Sequence, residues 1–202
     1  MQPLMWYLFA YLIGSIPFGY LISKYFAGIN IKEHGSGNIG ATNVLRVLKE
    51  KDPKKAKVLS ALTLFLDMFK GFFVIFIGMM FGLNDALLWA MAVFVVIGHC
   101  FSIYLKFEGG KGVATTVGVL ALLVPKSVIV GFIVWFIMAK TVRISSISSL
   151  VGILTGIFST YILYPHLSIN SYAPLWLIAI IVVYKHKSNI YRLITGQEKR
   201  VI

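Results

Sequence analysis

Apolar runs dominate the chain from residue 3 to residue 185 and leave it few ways to fold. A helix that crosses a bilayer needs about 20 mostly apolar residues. Runs of that kind recur at 3–27, 58–83, 87–105, 112–125, 127–140, 147–165 and 172–185. Only 13% of the residues are charged, where a soluble domain carries about a quarter, so the polar side chains are too few to cover a globule in water. The sequence therefore predicts one all-α integral membrane domain over 1–202. The runs at 112–125 and 127–140 are short, and Pro125-Lys126 divides them into two short helices or interrupts one long one, giving seven spans or six.

Charge chooses between these counts. The chain has 19 Lys and Arg against 7 Asp and Glu, a formal net charge of +12. In a soluble protein that excess would suggest nucleic acid; in a membrane protein it first reports sidedness, because Lys and Arg stay on the cytoplasmic side. With seven spans, every Lys and Arg except Lys24, Lys70 and Lys126 lies on one face. Six spans would split them. The expectation is a seven-transmembrane-helix bundle, N-terminus out and C-terminus in, with its chemistry on the cytoplasmic face. The first 27 residues lack a basic n-region and a small-x-small cleavage site, so they read as the first span rather than a signal peptide. Residues 47–57, VLKEKDPKKAK, read as a solvated basic connector. The single cysteine, Cys100, excludes an internal disulfide.

Three segments on the basic face mix Gly, Asn, Ser and basic residues in a way a bilayer protein rarely needs. In the first, Gly35, Gly37 and Gly40 match G-x-G-x-x-G by letter, but a membrane span precedes them rather than the strand a dinucleotide fold requires. The physics beneath the motif remains: glycines let backbone approach an anion, and successive amides can cradle it. Ser36, Asn38, Thr42 and Asn43 add neutral hydrogen-bonding groups, and Arg46 can fork onto phosphate oxygens. In the second, Gly109-Gly110-Lys111-Gly112 opens a helix, which joins free amides, a positive dipole end and an ammonium. It is not a Walker A loop, whose spacing fails here. In the third, Tyr184 to Glu198, helical spacing puts His186 and Asn189 on one face. Asp67 and Lys70 lie one turn apart inside the second span, and either pair structurally or face a substrate. His99 ends a span, where a packed core histidine is the plainer reading.

At these residues the sequence resembles the bacterial membrane glycerol-3-phosphate acyltransferases that use acyl phosphate as donor. The stretches that carry the resemblance are GSGNIGATNVLR at 35–46, GHCFSIYLKFEGGKGVAT at 98–115 and YKHKSNIYRLITGQE at 184–198, with LDMFKG at 66–71 and VRISSISS at 142–149. Two positions depart from the pattern. Ser102 stands where the family usually has proline, which should relax a helix end, and Glu108 where a base is common, which should weaken anion affinity. The resemblance implies acyl transfer from acyl phosphate to the 1-hydroxyl of glycerol 3-phosphate, giving lysophosphatidic acid and phosphate. It implies roles for Ser36, Arg46, Lys111, His186 and Asn189 in holding glycerol 3-phosphate and in catalysis. Gly35, Gly37, Gly40, Gly109, Gly110 and Gly112 would hold the donor phosphate, and Asn38, Thr42, Asn43, Asp67, Lys70, His99, Ser145, Ser146 and Arg192 complete the expected binding set.

An acyl phosphate is already activated, and the chain has neither a G-x-S-x-G elbow nor an H-x4-D pair. The expectation is direct transfer without an acyl-enzyme, catalysed by positioning and electrostatics, with a substrate phosphate or His186 taking the proton. No cofactor, metal or nucleic acid is expected. The partners expected are the two substrates and membrane lipids, with oligomeric state open and a monomer compatible. A small multi-pass transporter of an anionic solute is the rival, since intramembrane Asp67 and Lys70 beside short broken helices suit one. Against it, no inverted repeat is visible and the polar motifs gather at one face.

Overall fold

The computed structural model describes residues 3–198 and Arg200. Among the described residues the regular structure is helical throughout, with ten α-helices and two short 3-10 turns. The first apolar run forms α1 (Pro3–Ser15) and α2 (Phe18–Ala27), broken where Pro17 withholds an amide. The break exposes two carbonyls at membrane depth, and both are satisfied. Ser102 Oγ donates to Ser15 O at 2.6 Å, and Lys70 Nζ donates to Ile16 O at 2.8 Å. A proline at 102 could not donate, so this departure from the family pattern provides a bond rather than merely loosening a helix end. Gly28, left-handed at φ 64, ends α2.

The remaining runs form α4 (Pro53–Met80), α5 (Asp85–Cys100), α6 (Val113–Leu123), α7 (Pro125–Thr141), α8 (Ser145–Leu163) and α9 (Ala173–Lys185). Two more helices lie outside these runs, α3 (Ala41–Lys49) and α10 (Lys187–Ile194). The expected connector at 47–57 is thus mostly helix, with only residues 50–52 between two helices. α3 ends inside it, and α4 starts at Pro53 behind the Asp52 side chain, which accepts the Lys55 amide at 2.9 Å.

Among the described residues, four helical stretches are long and apolar enough to cross a bilayer: Pro3–Ala27 counted through its break, Pro53–Met80, Asp85–Leu105 and Ser145–Leu163. At 11 and 13 residues, α6 and α9 reach only about 16–20 Å at 1.5 Å per residue. Large apolar side chains cover the outside, with Phe65 54%, Phe132 59% and Ile162 81% exposed. So much exposed apolar surface suits lipid, not water.

The main core joins α1, α4, α5, α6 and α9 through residues such as Trp6, Val74, Val95, Val119 and Ile178. A smaller core of Ile31, Ile39, Val44, Leu48 and Leu59 seats α3 and the loop before it on the start of α4. α6 lies along α4, whereas α7 and α8 pair with each other. Backbones approach closely in that pair: a Cβ on Gly131 would sit 2.7 Å from Gly152 O, and one on Gly152 would sit 2.8 Å from Trp135 Cβ. Small residues at such crossings replace the hydrophobic drive that lipid removes. Between these two groups a cavity opens.

Candidate active site

The inner cavity, of about 550 Å³, has a polar mouth and an apolar body. Its body lies among Val117 and Leu120 of α6, Phe132 and Trp135 of α7 and Ile153 of α8, and it reaches Ser127 and Gly156. From Ser146 to Gly156 it follows ten residues of α8, about 15 Å. An extended chain advances about 1.2 Å per bond, so this depth suits a long alkyl tail. Ser36, Arg46, Lys111, His186 and Asn189 all border the mouth. An outer cavity of about 370 Å³ adjoins it, and Ser36, Asn38, Lys111 and Asn189 border both.

The first loop is organised by Asn43 on α3. Its Nδ2 donates to His34 O at 3.0 Å and Asn38 O at 2.9 Å, with Ile31 O at 3.3 Å, while its Oδ1 accepts the Ser36 amide at 2.8 Å. Gly35 fits only as glycine, because its φ is +62 and a Cβ would lie 2.3 Å from Asn43 Oδ1. The Gly37 amide is taken by His34 O and the Gly40 amide by Asn38 Oδ1. This revises the anion-nest expectation for Gly37 and Gly40: their amides hold the loop together, and the side chains of Ser36 and Arg46 remain for a ligand. Thr42 Oγ1 lies 3.2 Å from Ser145 Oγ and ties α3 to the start of α8.

In the second loop the glycines serve close packing. The Gly110 amide donates to His99 O at 3.0 Å, and a Cβ on Gly110 would lie 2.1 Å from His99 Nε2. A Cβ on Gly109 would meet His99 O at 2.2 Å. The Gly110 amide is therefore not free to hold phosphate either. His99 Nδ1 lies 3.5 Å from Asp67 Oδ1, which lies 2.9 Å from Lys70 Nζ. Lys70 does not border the inner cavity, whereas Asp67 and His99 do. Its ammonium is spent on Asp67 and Ile16 O, so the structural reading of this ion pair prevails for Lys70. Through His99, the pair supports the loop that carries Lys111.

Lys111 is different. Among the described residues it has no carboxylate within ion-pair distance, and neither has Arg46. Burial pushes the Lys111 ammonium down to about 8, with Glu198 pulling it up and Arg192 and Arg46 pushing it further down. Two cations therefore share the mouth with no ion-pair partner among the described residues, Glu198 acting on Lys111 only from a distance.

In the third segment His186 joins α9 to α10. Its Nδ1 lies 2.7 Å from Val182 O. A carbonyl only accepts, so the proton sits on Nδ1 and Nε2 is left as an acceptor. Burial and the neighbouring Lys111 lower its pKa to about 4, against the Val182 bond and Glu198. At neutral pH the ring is uncharged. Asn189 Oδ1 is buried without a partner among the described residues.

Glu198 is the residue that sequence reasoning left out of the binding set. It accepts from Asn189 Nδ2 at 2.6 Å, Arg192 Nε at 2.6 Å and Ser146 Oγ at 2.9 Å. Burial works to raise its pKa, but these bonds outweigh it and hold the carboxyl below its ordinary value. Arg192 thus reaches the inner cavity through Glu198, which straps the C-terminal segment to Ser146 of α8 in the cavity wall. The only sequence signal was its place in the third motif. Glu108, by contrast, is exposed and pairs with Lys32 at the rim of the outer cavity.

A family model for glycerol-3-phosphate acyltransferase matches residues 4–196. A glycerol-3-phosphate acyltransferase of Aliarcobacter butzleri is 52% identical over 201 residues, covering 100% of this chain and 97% of its own length. One from Campylobacter lari is 52% identical over 203 residues, covering 100% of each. Among solved structures, the integral membrane glycerol 3-phosphate acyltransferase PlsY in its glycerol 3-phosphate form superposes with a TM-score of 0.85 at 33% identity, covering 98% of this chain and 94% of that one. Its lysophosphatidic acid form gives 0.84 at 34% identity, with the same coverage. The chain is a multi-pass membrane protein and belongs to the glycerol-3-phosphate acyltransferase family.

Proposed function

We propose that the chain transfers a fatty acyl group from acyl phosphate to the 1-hydroxyl of glycerol 3-phosphate, releasing lysophosphatidic acid and inorganic phosphate. The observation that carries this reading is the joining of two cations that lack an ion-pair partner among the described residues, Arg46 and Lys111, to the head of a deep apolar cavity. An acyl phosphate has that shape: an anionic head on an alkyl tail. Ser36, Arg46 and Lys111 bind phosphate oxygens, and the tail lies between α6 and the α7–α8 pair. His186 Nε2 and Asn189 Oδ1 accept from the glycerol hydroxyls.

In the reaction the hydroxyl oxygen attacks the acyl carbon, a tetrahedral oxyanion forms, and the bond from carbon to phosphate oxygen breaks. Lys111 and Arg46 stabilise charge gathering on the oxyanion and on the leaving phosphate. The hydroxyl proton needs a base. His186 sits at about 4, while the dianion of a phosphate monoester takes up a proton near pH ~6. The substrate phosphate is the stronger base, so it takes the proton and His186 orients the hydroxyl.

The chain acts as a single domain that crosses the bacterial inner membrane seven times, N-terminus out and C-terminus in, with this mouth on the cytoplasmic face. Two observations support the seven crossings. α1 starts where α4 ends, with Trp6 and Phe81 rings 5.3 Å apart. The Pro125 turn meets the loop after α8 through the Lys126 amide and Tyr164 Oη at 3.1 Å. The short α6 and α9 are packed among longer helices, which spares them from matching the full bilayer thickness themselves. Purified protein given acyl phosphate and glycerol 3-phosphate should form lysophosphatidic acid without a covalent intermediate. Intact-protein mass spectrometry after donor alone should show unmodified chain; an added acyl mass would sink direct transfer.

A further inference from the structure

The inner cavity accounts for Arg46 and Lys111, but other cations are gathered around the outer cavity. Lys32, Lys185, Lys187 and Arg192 border it with Lys111, and Glu108 is its one acidic lining residue. Two of those cations are already matched: Lys32 pairs with Glu108, and Arg192 with Glu198 at 2.6 Å. Lys185 and Lys187 have no carboxylate within ion-pair distance among the described residues. Both are nonetheless held in place. The Lys185 ammonium stands 4.8 Å from the Phe101 ring centre, and that of Lys187 stands 4.8 Å from the Tyr184 ring centre. Ring contact fixes a cation without neutralising it, so part of the ordering cost of binding an anion is met before the anion arrives.

We propose that the outer cavity is a second anion site, an antechamber in which Lys185 and Lys187 hold a small phosphate dianion beside the reaction site. The inference rests on the acyltransferase reading, which brings two phosphate-bearing substrates and releases a third phosphate. Ser36, Asn38, Lys111 and Asn189 form the shared wall, so an anion passes from one cavity to the other without leaving hydrogen-bonding groups. The apolar body lines the inner cavity and not the outer one, which assigns the tail-bearing donor there and leaves the outer one to water-soluble phosphates. Glu108 holds Lys32 and opposes the anion. The acidic departure from the family pattern therefore keeps the antechamber from retaining phosphate.

Lys185→Met with Lys187→Met keeps both stems and removes both charges. The double variant should raise KM for glycerol 3-phosphate, weaken product inhibition by inorganic phosphate, or both, by about tenfold at low ionic strength with kcat unchanged. The first change assigns the antechamber to the incoming acceptor, the second to the leaving phosphate, and both together to each in turn. Glu108→Gln, at an exposed position that does not endanger the fold, should move the same constants the opposite way by about threefold. Both effects should fade at about 0.5 M salt, where screening acts over a few ångström. Calorimetric titration with inorganic phosphate alone should find two sites per wild-type chain and one in the double variant. Unchanged KM and phosphate inhibition in both variants, or a single phosphate site in active wild-type protein, would overturn the antechamber alone. Two phosphate sites in wild-type protein that makes no lysophosphatidic acid would overturn the acyltransferase reading and leave the antechamber standing.

Discussion

Two groups of charged side chains lie close together in this bundle, and they are treated in opposite ways. Asp67, Lys70 and His99, buried between α4 and α5, close on one another and on the Ile16 carbonyl. Arg46 and Lys111, at the cavity mouth, form no ion pair among the described residues. A buried charge left alone costs several kcal/mol, and a partner has to offset it. The first group finds its partners inside the chain and becomes structure. The second is only half-buried and keeps its cations unpaired for a phosphate, which is how a binding site differs from a tie.

The largest effect that would sharpen this contrast is expected at the mouth. Lys111→Ala should lower kcat/KM by about a thousandfold, the loss typical of a group that stabilises developing charge, with little change in melting temperature. Lys70→Met should do the reverse: activity per folded molecule persists, while stability falls by about 3–5 kcal/mol because Asp67 is stranded. Thermal unfolding in detergent measures it, and a Lys70→Met, Asp67→Asn double variant should recover part of the loss. Equal stability losses at Lys111 and Lys70 would break the contrast.

Smaller effects follow from protonation. Lys111 is charged below about 8 and neutral above it, so phosphate affinity is present at lower pH and is lost as pH rises. The kcat/KM profile, which reports the free enzyme, should fall on its alkaline side about tenfold per pH unit above that point. Lys111→Arg should remove this limb. The smallest expected shift is in Glu198→Gln, which deletes the carboxylate that holds the Lys111 ammonium up; the limb should move toward lower pH by a few tenths of a unit.

Much of this was legible in the residues themselves. Gly109-Gly110-Lys111-Gly112 and the run His186 to Asn189 marked the mouth, and the apolar runs placed the bundle helices. The apolar run at 3–27 reads as one span, and the groups that close its break at Pro17, Ser102 and Lys70, lie 87 and 54 residues from the carbonyls they satisfy. Asn43 read as one more ligand because its type suits an anion. Only folding shows that its amide is consumed by its own loop. Glu198 was hidden for the same reason, since Ser146 is 52 residues away. Val44 and Leu48 have helical spacing, but Val44 belongs to the glycine-rich motif and Leu48 to the basic connector, and that division hid α3. Local chemistry can be read from residue types, whereas spent and unspent hydrogen bonds belong to the tertiary structure.

The most direct test is phosphate release from palmitoyl phosphate by detergent-purified protein, with and without glycerol 3-phosphate, in wild type and Lys111→Ala. Release that requires the acceptor, matches lysophosphatidic acid formed, and disappears in the variant is the result expected. Release that ignores the acceptor, or that survives intact in Lys111→Ala, would contradict direct transfer at this mouth.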